Sequence, residues 1–84
     1  MKFTEKQIKN LDRKINEFPL SGRLSDFVKK KDLIFVKDLA VLNVYDVLAF
    51  SGVSRKTLNE IDELLNELNL YLGIELDEVQ KHSL

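Results

Sequence analysis

Residues 50–61 read FSGVSRKTLNEI: an aromatic residue, a tight polar corner around Gly52, then a run with helical spacing. Gly52 can take a positive φ, Val53 is apolar and points a turn toward a core, and Ser54 stands where a helix cap belongs. From Arg55 to Leu68 the apolar residues Leu58, Ile61, Leu64, Leu65 and Leu68 recur at steps of three and four, which predicts the longest helix of the protein and its main core stripe. A helix that starts from such a corner presents unsatisfied backbone N–H groups at its positive dipole end, where an anion is favoured. Arg55, Lys56 and the Thr57 hydroxyl add donors at the same place. Gly52, Ser54, Arg55, Lys56 and Thr57 are therefore the candidate phosphate-binding set. A plain capped corner with solvated cations fits the same residues, so the turn alone does not choose between the two.

Outward from the corner, helical signals continue in both directions. Asn43 caps a short helix that carries Val44, Val47, Leu48 and Phe50 inward, and Asp38 to Leu42 makes a brief helix before it. Asp32 to Phe35 is a connector too apolar to lie open to water. Ser21 caps a helix running to about Lys30, with Leu24, Phe27 and Val28 inward. Pro19 stops an N-terminal amphipathic helix whose stripe is Ile8, Leu11, Ile15 and Phe18, and whose Thr4 and Gln7 form a capping box. Beyond Leu68, Asn69 suits a left-handed helix end, Leu70 and Leu72 fold back on the core, and Asp77 to Leu84 frays. Tyr45 and Tyr71 read as half-buried packing residues. No strand alternation is present. The expected fold is an all-α compact bundle of about five short helices containing a helix-hairpin-helix at Phe50 to Leu58.

Composition bounds the function. Eighty-four residues allow one domain with little room for a deep pocket, and hydrophobic (44%) and charged (32%) shares are ordinary for a globular protein. No apolar run approaches the roughly 20 residues needed to cross a bilayer, and the N-terminus is too charged for a signal peptide, so no membrane partner and a cytoplasmic location are expected. There is no cysteine, which excludes disulfides and thiolate metal sites. The single histidine, His82, lies in the tail, and the carboxylates of Glu60, Asp62, Glu63 and Glu67 have the spacing of a solvated helix face. No nucleophile and base can be paired, so the protein is not expected to be an enzyme, nor to hold a metal or cofactor. Charge is divided unevenly: twelve Lys and Arg against seven Asp and Glu up to Thr57, then one against seven from Leu58 onward. A basic end of this kind can recruit an anionic partner even when net charge is −1. Within it, the Lys29-Lys30-Lys31 run either solubilises the surface or flanks a nucleic acid.

Residues 18–76 resemble the C-terminal domain of the bacterial RNA polymerase alpha subunit. The resemblance rests on LSGR at Leu20 to Arg23, KDL at Lys37 to Leu39, SRKTLNEI at Ser54 to Ile61, and LNLYLGIEL at Leu68 to Leu76. It implies a domain that binds the minor groove of A·T-rich double-stranded DNA and touches transcription activators and sigma factor. It further implies that Arg23 enters the groove, where a narrow A·T tract has enhanced negative potential, and that Lys56 and Thr57 meet phosphate. Glu60 falls at the edge of that surface. Two positions depart from the family pattern. Asp26 stands where asparagine is usual, one turn after Arg23, and can repel phosphate or pair with Arg23; Ser54 replaces a second hairpin glycine and limits close backbone approach.

Residues 1–17 lie outside this resemblance and read as an extension that packs on the bundle or pairs with a second copy or another protein. Residues 77–84 read as a tail. The expectation is a small transcription-associated DNA-binding protein with weak, salt-dependent affinity. The alternative is a protein-interaction module that keeps the same fold to bind sigma factor, an activator or polymerase.

Overall fold

The computed structural model describes residues 3–75. Its helices are α1 (Glu5–Leu11), α2 (Gly22–Lys30), α3 (Val36–Ala40), α4 (Val44–Ala49) and α5 (Arg55–Glu67), with a 3₁₀ turn over Ile15–Glu17 between the first two. The all-α architecture agrees with the sequence, and among the described residues the one β-type pairing is an isolated bridge of Lys14 with Phe35. The expected tail, Asp77 to Leu84 with His82, lies outside the described residues.

Most boundaries follow the chemistry of the caps. Thr4 and Gln7 form the capping box of α1, and the Ser21 hydroxyl accepts from the Leu24 N–H at the start of α2. Asn43 and Asp46 make a reciprocal box on α4. At the other end of α5, Asn69 sits at φ 59, the Leu70 N–H reaches the Leu65 carbonyl at 2.8 Å and the Asn69 N–H reaches Asn66 at 3.0 Å. These are the paired bonds of a Schellman stop, and they turn Leu70 back into the core.

Several expectations are corrected. The N-terminal helix does not run to Pro19 but ends at Leu11, because the backbone straightens at Arg13 and Lys14 to bond the connector after α2: Ile15 N–H to Ile34 carbonyl at 2.9 Å, and Val36 N–H to Arg13 carbonyl at 2.8 Å. Its apolar residues keep their inward sense through the kink, since Phe3, Leu11 and Ile15 are buried in the same cluster as Leu24, Leu39, Ile61 and Leu65. The brief third helix starts at Val36 rather than Asp38, because the Asp38 carboxylate accepts from the backbone N–H groups of Ile34 and Phe35 and so occupies the first turn. On α4 only Val47 is buried. Val44 and Leu48 stay partly exposed and Tyr45 is 83% exposed, because a six-residue helix turns a single residue fully onto α5; Tyr71, beyond α5, is 53% exposed and stacks on Phe3 at 6.4 Å. Ile34 of the connector is likewise 57% exposed.

The N-terminal segment is joined to the far end of α5. Gln7 Nε2 donates to the Asn69 carbonyl at 2.6 Å, and the buried Asn10 Nδ2 donates to the Leu68 carbonyl at 3.3 Å. Two carbonyls left open where α5 ends thus find donors on α1. A Gly73 N–H bond to the Ala40 carbonyl at 2.7 Å closes the same end of the molecule onto α3.

Candidate nucleic-acid interface

Between α4 and α5 the backbone makes a hydrogen-bonded turn, with the Val53 N–H on the Phe50 carbonyl at 3.2 Å and Gly52 at φ 86. A positive φ at the third residue is the type II signature, and it is the one position of the hairpin where glycine is required. Val53 is half-buried against the core and acts as the plug that the sequence implies. Phe50 anchors the corner from the other side: its ring meets Phe27 edge-on at 5.3 Å, and Lys31 Nζ lies 5.7 Å over it.

The corner delivers the start of α5 to the surface in an unusual condition. Each of the other helices has a carboxylate at its N-terminus: Glu5 in the first turn of α1, Asp38 on α3, Asp46 on α4. At α2 the carboxylate comes from α5, where Glu60 Oε2 accepts from the Ser21 N–H at 3.0 Å and Oε1 from the Ser21 hydroxyl at 2.6 Å. The start of α5 has no acid in its first turn and no side-chain cap, although Ser54 is its N-cap residue. It carries Arg55 and Lys56 instead, both exposed. Cations are the charge that the helix dipole disfavours at this end. Local stability therefore does not account for them.

The candidate residues divide accordingly. Gly52, Ser54, Arg55 and Lys56 are exposed together at the hairpin, and Arg23 is exposed in the first turn of α2. The Ser21–Glu60 contact joins the two places, because Glu60 lies one turn beyond Lys56 and Ser21 lies two residues before Arg23. Thr57 departs from its expected role: it is 2% exposed and belongs to the packed interior, so it offers a ligand almost no surface. Threonine at the third helical position can serve either purpose, and only its rotation toward the core decides. Asp26 does not hold Arg23, because its carboxylate pairs with Lys30 at 3.0 Å, one turn further along α2. Among the described residues, Arg23 makes no ion pair. Of the lysine run, Lys30 is thus engaged by Asp26 and Lys31 by the Phe50 ring.

The role of Glu60 was legible only as the edge of a surface. Its bonds to Ser21 span 39 residues, so no local pattern announces them. Among the described residues no cluster of acids, histidines or cysteines is arranged to hold a metal, and no helix is long and apolar enough to cross a membrane.

Fold and surface together define an α-helical domain built on a helix-hairpin-helix, with one helix N-terminus left open beside two cations. Residues 2–67 match the family described as the C-terminal domain of the bacterial RNA polymerase alpha subunit, and the protein belongs to that family. A DNA-directed RNA polymerase subunit alpha from Desulfotalea psychrophila (strain LSv54 / DSM 12343) is 34% identical over 76 residues. That alignment covers 88% of the present sequence and 22% of the subunit, so the protein spans less than a quarter of its relative. The family match begins at residue 2, within the segment that the sequence set apart as an extension, and the shared core of Phe3, Leu11 and Ile15 agrees with that wider span.

Proposed function

We propose that this protein is a transcription-associated DNA-binding domain that contacts phosphate through the start of α5 and the minor groove through Arg23. The observation that carries the reading is the contrast among the helix ends. Four have a carboxylate at hand, whereas α5 carries two cations on an uncapped N-terminus. An incoming phosphate supplies what this end lacks: a negative charge and acceptors for free N–H groups. Gly52 adds no side chain to the approach, the Ser54 Cβ narrows it, and Arg55 and Lys56 flank it.

Arg23 supplies the second contact. It is exposed and without an ion pair among the described residues, so reaching a groove requires no bond to be broken. With few phosphate contacts the affinity is modest and falls steeply with salt, each contact contributing about −0.9 to the slope of log K on log salt. Double-stranded DNA is the partner, with A·T-rich tracts preferred because their narrow groove concentrates negative potential.

Fluorescence anisotropy with an A·T-rich and a G·C-rich duplex tests this directly. Arg23→Ala is expected to weaken A·T binding by about tenfold and to abolish the preference, whereas Lys56→Ala weakens both duplexes alike and lowers the salt slope by about 1. Asp26→Asn removes a carboxylate from the same face and releases Lys30, so affinity is expected to rise about threefold. Absence of binding at low salt, or an Arg23→Ala protein that keeps its A·T preference, overturns the reading.

A second reading is supported by a different surface. Val41, at the end of α3, and Val44, Tyr45 and Leu48 on α4 form an exposed apolar stripe, with Tyr45 at 83% exposure. Such a stripe suits a protein partner in the transcription apparatus, of the sigma factor, activator or polymerase class. A homodimer finds more free apolar surface on this face than on α1, where Leu11 is buried and Ile8 partly buried.

A further inference from the structure

We propose that Ser21 and Glu60 form a positioning pair that holds Arg23 in register with the phosphate-binding start of α5, so that A·T preference depends on a carboxylate that itself touches no DNA. The inference rests on the DNA reading above and adds to it the device that couples its two contacts.

The geometry is specific. One carboxylate receives both donors of one residue: the Ser21 N–H at 3.0 Å on Oε2 and the Ser21 hydroxyl at 2.6 Å on Oε1. The same hydroxyl oxygen accepts from the Leu24 N–H at 3.2 Å. A continuous series of hydrogen bonds thus runs from a side group of α5 into the first turn of α2. Both ends are partly buried, and the charged acceptor makes the bonds strong. Ser21 is the N-cap of α2, so fixing its N–H and its hydroxyl fixes where the helix begins and how it is rotated. Arg23 follows two residues later, and Lys56 precedes Glu60 by one turn of α5.

A groove arginine and a phosphate grip are useful together only at a set spacing, because phosphate contacts fix the register in which the groove is entered. Without Glu60, α2 retains its own cap in the Ser21–Leu24 bond and stays helical, but its start is no longer tied to α5. Each contact then binds more independently, and the joint preference for a narrow groove falls.

The simplest alternative predicts the opposite sign. A carboxylate at the rim of a DNA face repels phosphate, and its removal should tighten binding to every duplex. The test compares wild type, Glu60→Ala, Glu60→Gln, Ser21→Ala and the Ser21→Ala/Glu60→Ala double variant. Anisotropy is read on A·T-rich and G·C-rich duplexes, and melting curves confirm that each variant is folded at the assay temperature.

Positioning predicts that Glu60→Ala and Ser21→Ala each weaken A·T binding about fivefold and bring the A·T and G·C affinities together, with the double variant no worse than the weaker single one. Glu60→Gln keeps the length and one acceptor for the Ser21 N–H, so it retains most of the preference. Tighter or unchanged binding by Glu60→Ala with the A·T preference intact overturns the proposal, as does simple additivity of the two singles. A wild type that binds neither duplex overturns the DNA reading itself and the positioning role with it, an outcome distinct from wild-type binding that survives loss of the pair.

Discussion

Deletion of residues 1–17 is expected to abolish the cooperative thermal transition. Phe3, Leu11 and Ile15 are 3%, 2% and 1% exposed, and they belong to the hydrophobic cluster that unites the described helices. Truncating a buried leucine or isoleucine to alanine costs about 2–5 kcal/mol, and a phenylalanine about 3–5. Three such losses are comparable with the roughly 5–15 kcal/mol that holds a whole domain folded. The deletion also removes the donors that Gln7 and Asn10 offer to the end of α5, and the two backbone bonds that tie Arg13 and Ile15 to the connector before α3. Circular dichroism of the helical signal during heating checks this. A gradual, non-sigmoidal melt is the expected result, and a sigmoidal transition near that of the intact protein would show that the segment is only appended.

The sequence leaves packing on the bundle as one of its readings for this segment, and the structure departs from the sequence in the backbone rather than in the packing. The stripe Ile8, Leu11, Ile15 and Phe18 has helical spacing throughout, yet the helix stops at Leu11 and the later residues reach the core from a 3₁₀ turn. Periodicity records which residues face inward but not the backbone that carries them there. Here a nonlocal pairing, Lys14 with Phe35, overrides local helix preference. The same limit explains α4, where Val44 and Leu48 have core-like chemistry but the helix is too short to turn three residues onto one neighbour. Signals written within a few residues were legible: the Ser21 and Asn43 caps, the left-handed Asn69 and the positive φ of Gly52 all stand where the sequence puts them.

At the candidate interface the division is again local against nonlocal. The exposed corner with Arg55 and Lys56 could be read from one stretch, because it depends on a turn and the helix that follows it. The burial of Thr57 depends on how α5 rolls against the core, whereas the Asp26–Lys30 pair is a local i,i+4 contact that competes with the equally local Asp26–Arg23 spacing. Glu60 depends on the packing of α2 on α5. Each of these alters the chemistry of the surface: one donor is withdrawn, Arg23 is left unpaired among the described residues, and the N-terminus of α2 is occupied by a carboxylate of the protein itself. Among the described helices, the start of α5 is the one with no carboxylate of the protein at hand.

Reversal of charge at that end, Arg55→Glu with Lys56→Glu, should therefore move binding and stability in opposite directions. Two phosphate contacts are lost, and near ~0.05 M salt the release of counterions is worth roughly tenfold in affinity for each, so duplex binding should fall about 100-fold. The new carboxylates face the positive end of the helix dipole, in the arrangement already present on α1, α3 and α4. Melting temperature should accordingly rise, by roughly 4 °C for two favourable charges replacing two unfavourable ones. Calorimetry and anisotropy on the same protein read both quantities. If the cations were ordinary solvated surface, the stability gain would remain while binding hardly changed. If they packed against the corner, stability would fall. A rise in melting temperature together with a loss of binding is the signature of residues kept against the preference of their own helix, and it would assign the open N-terminus of α5 to a ligand rather than to the fold.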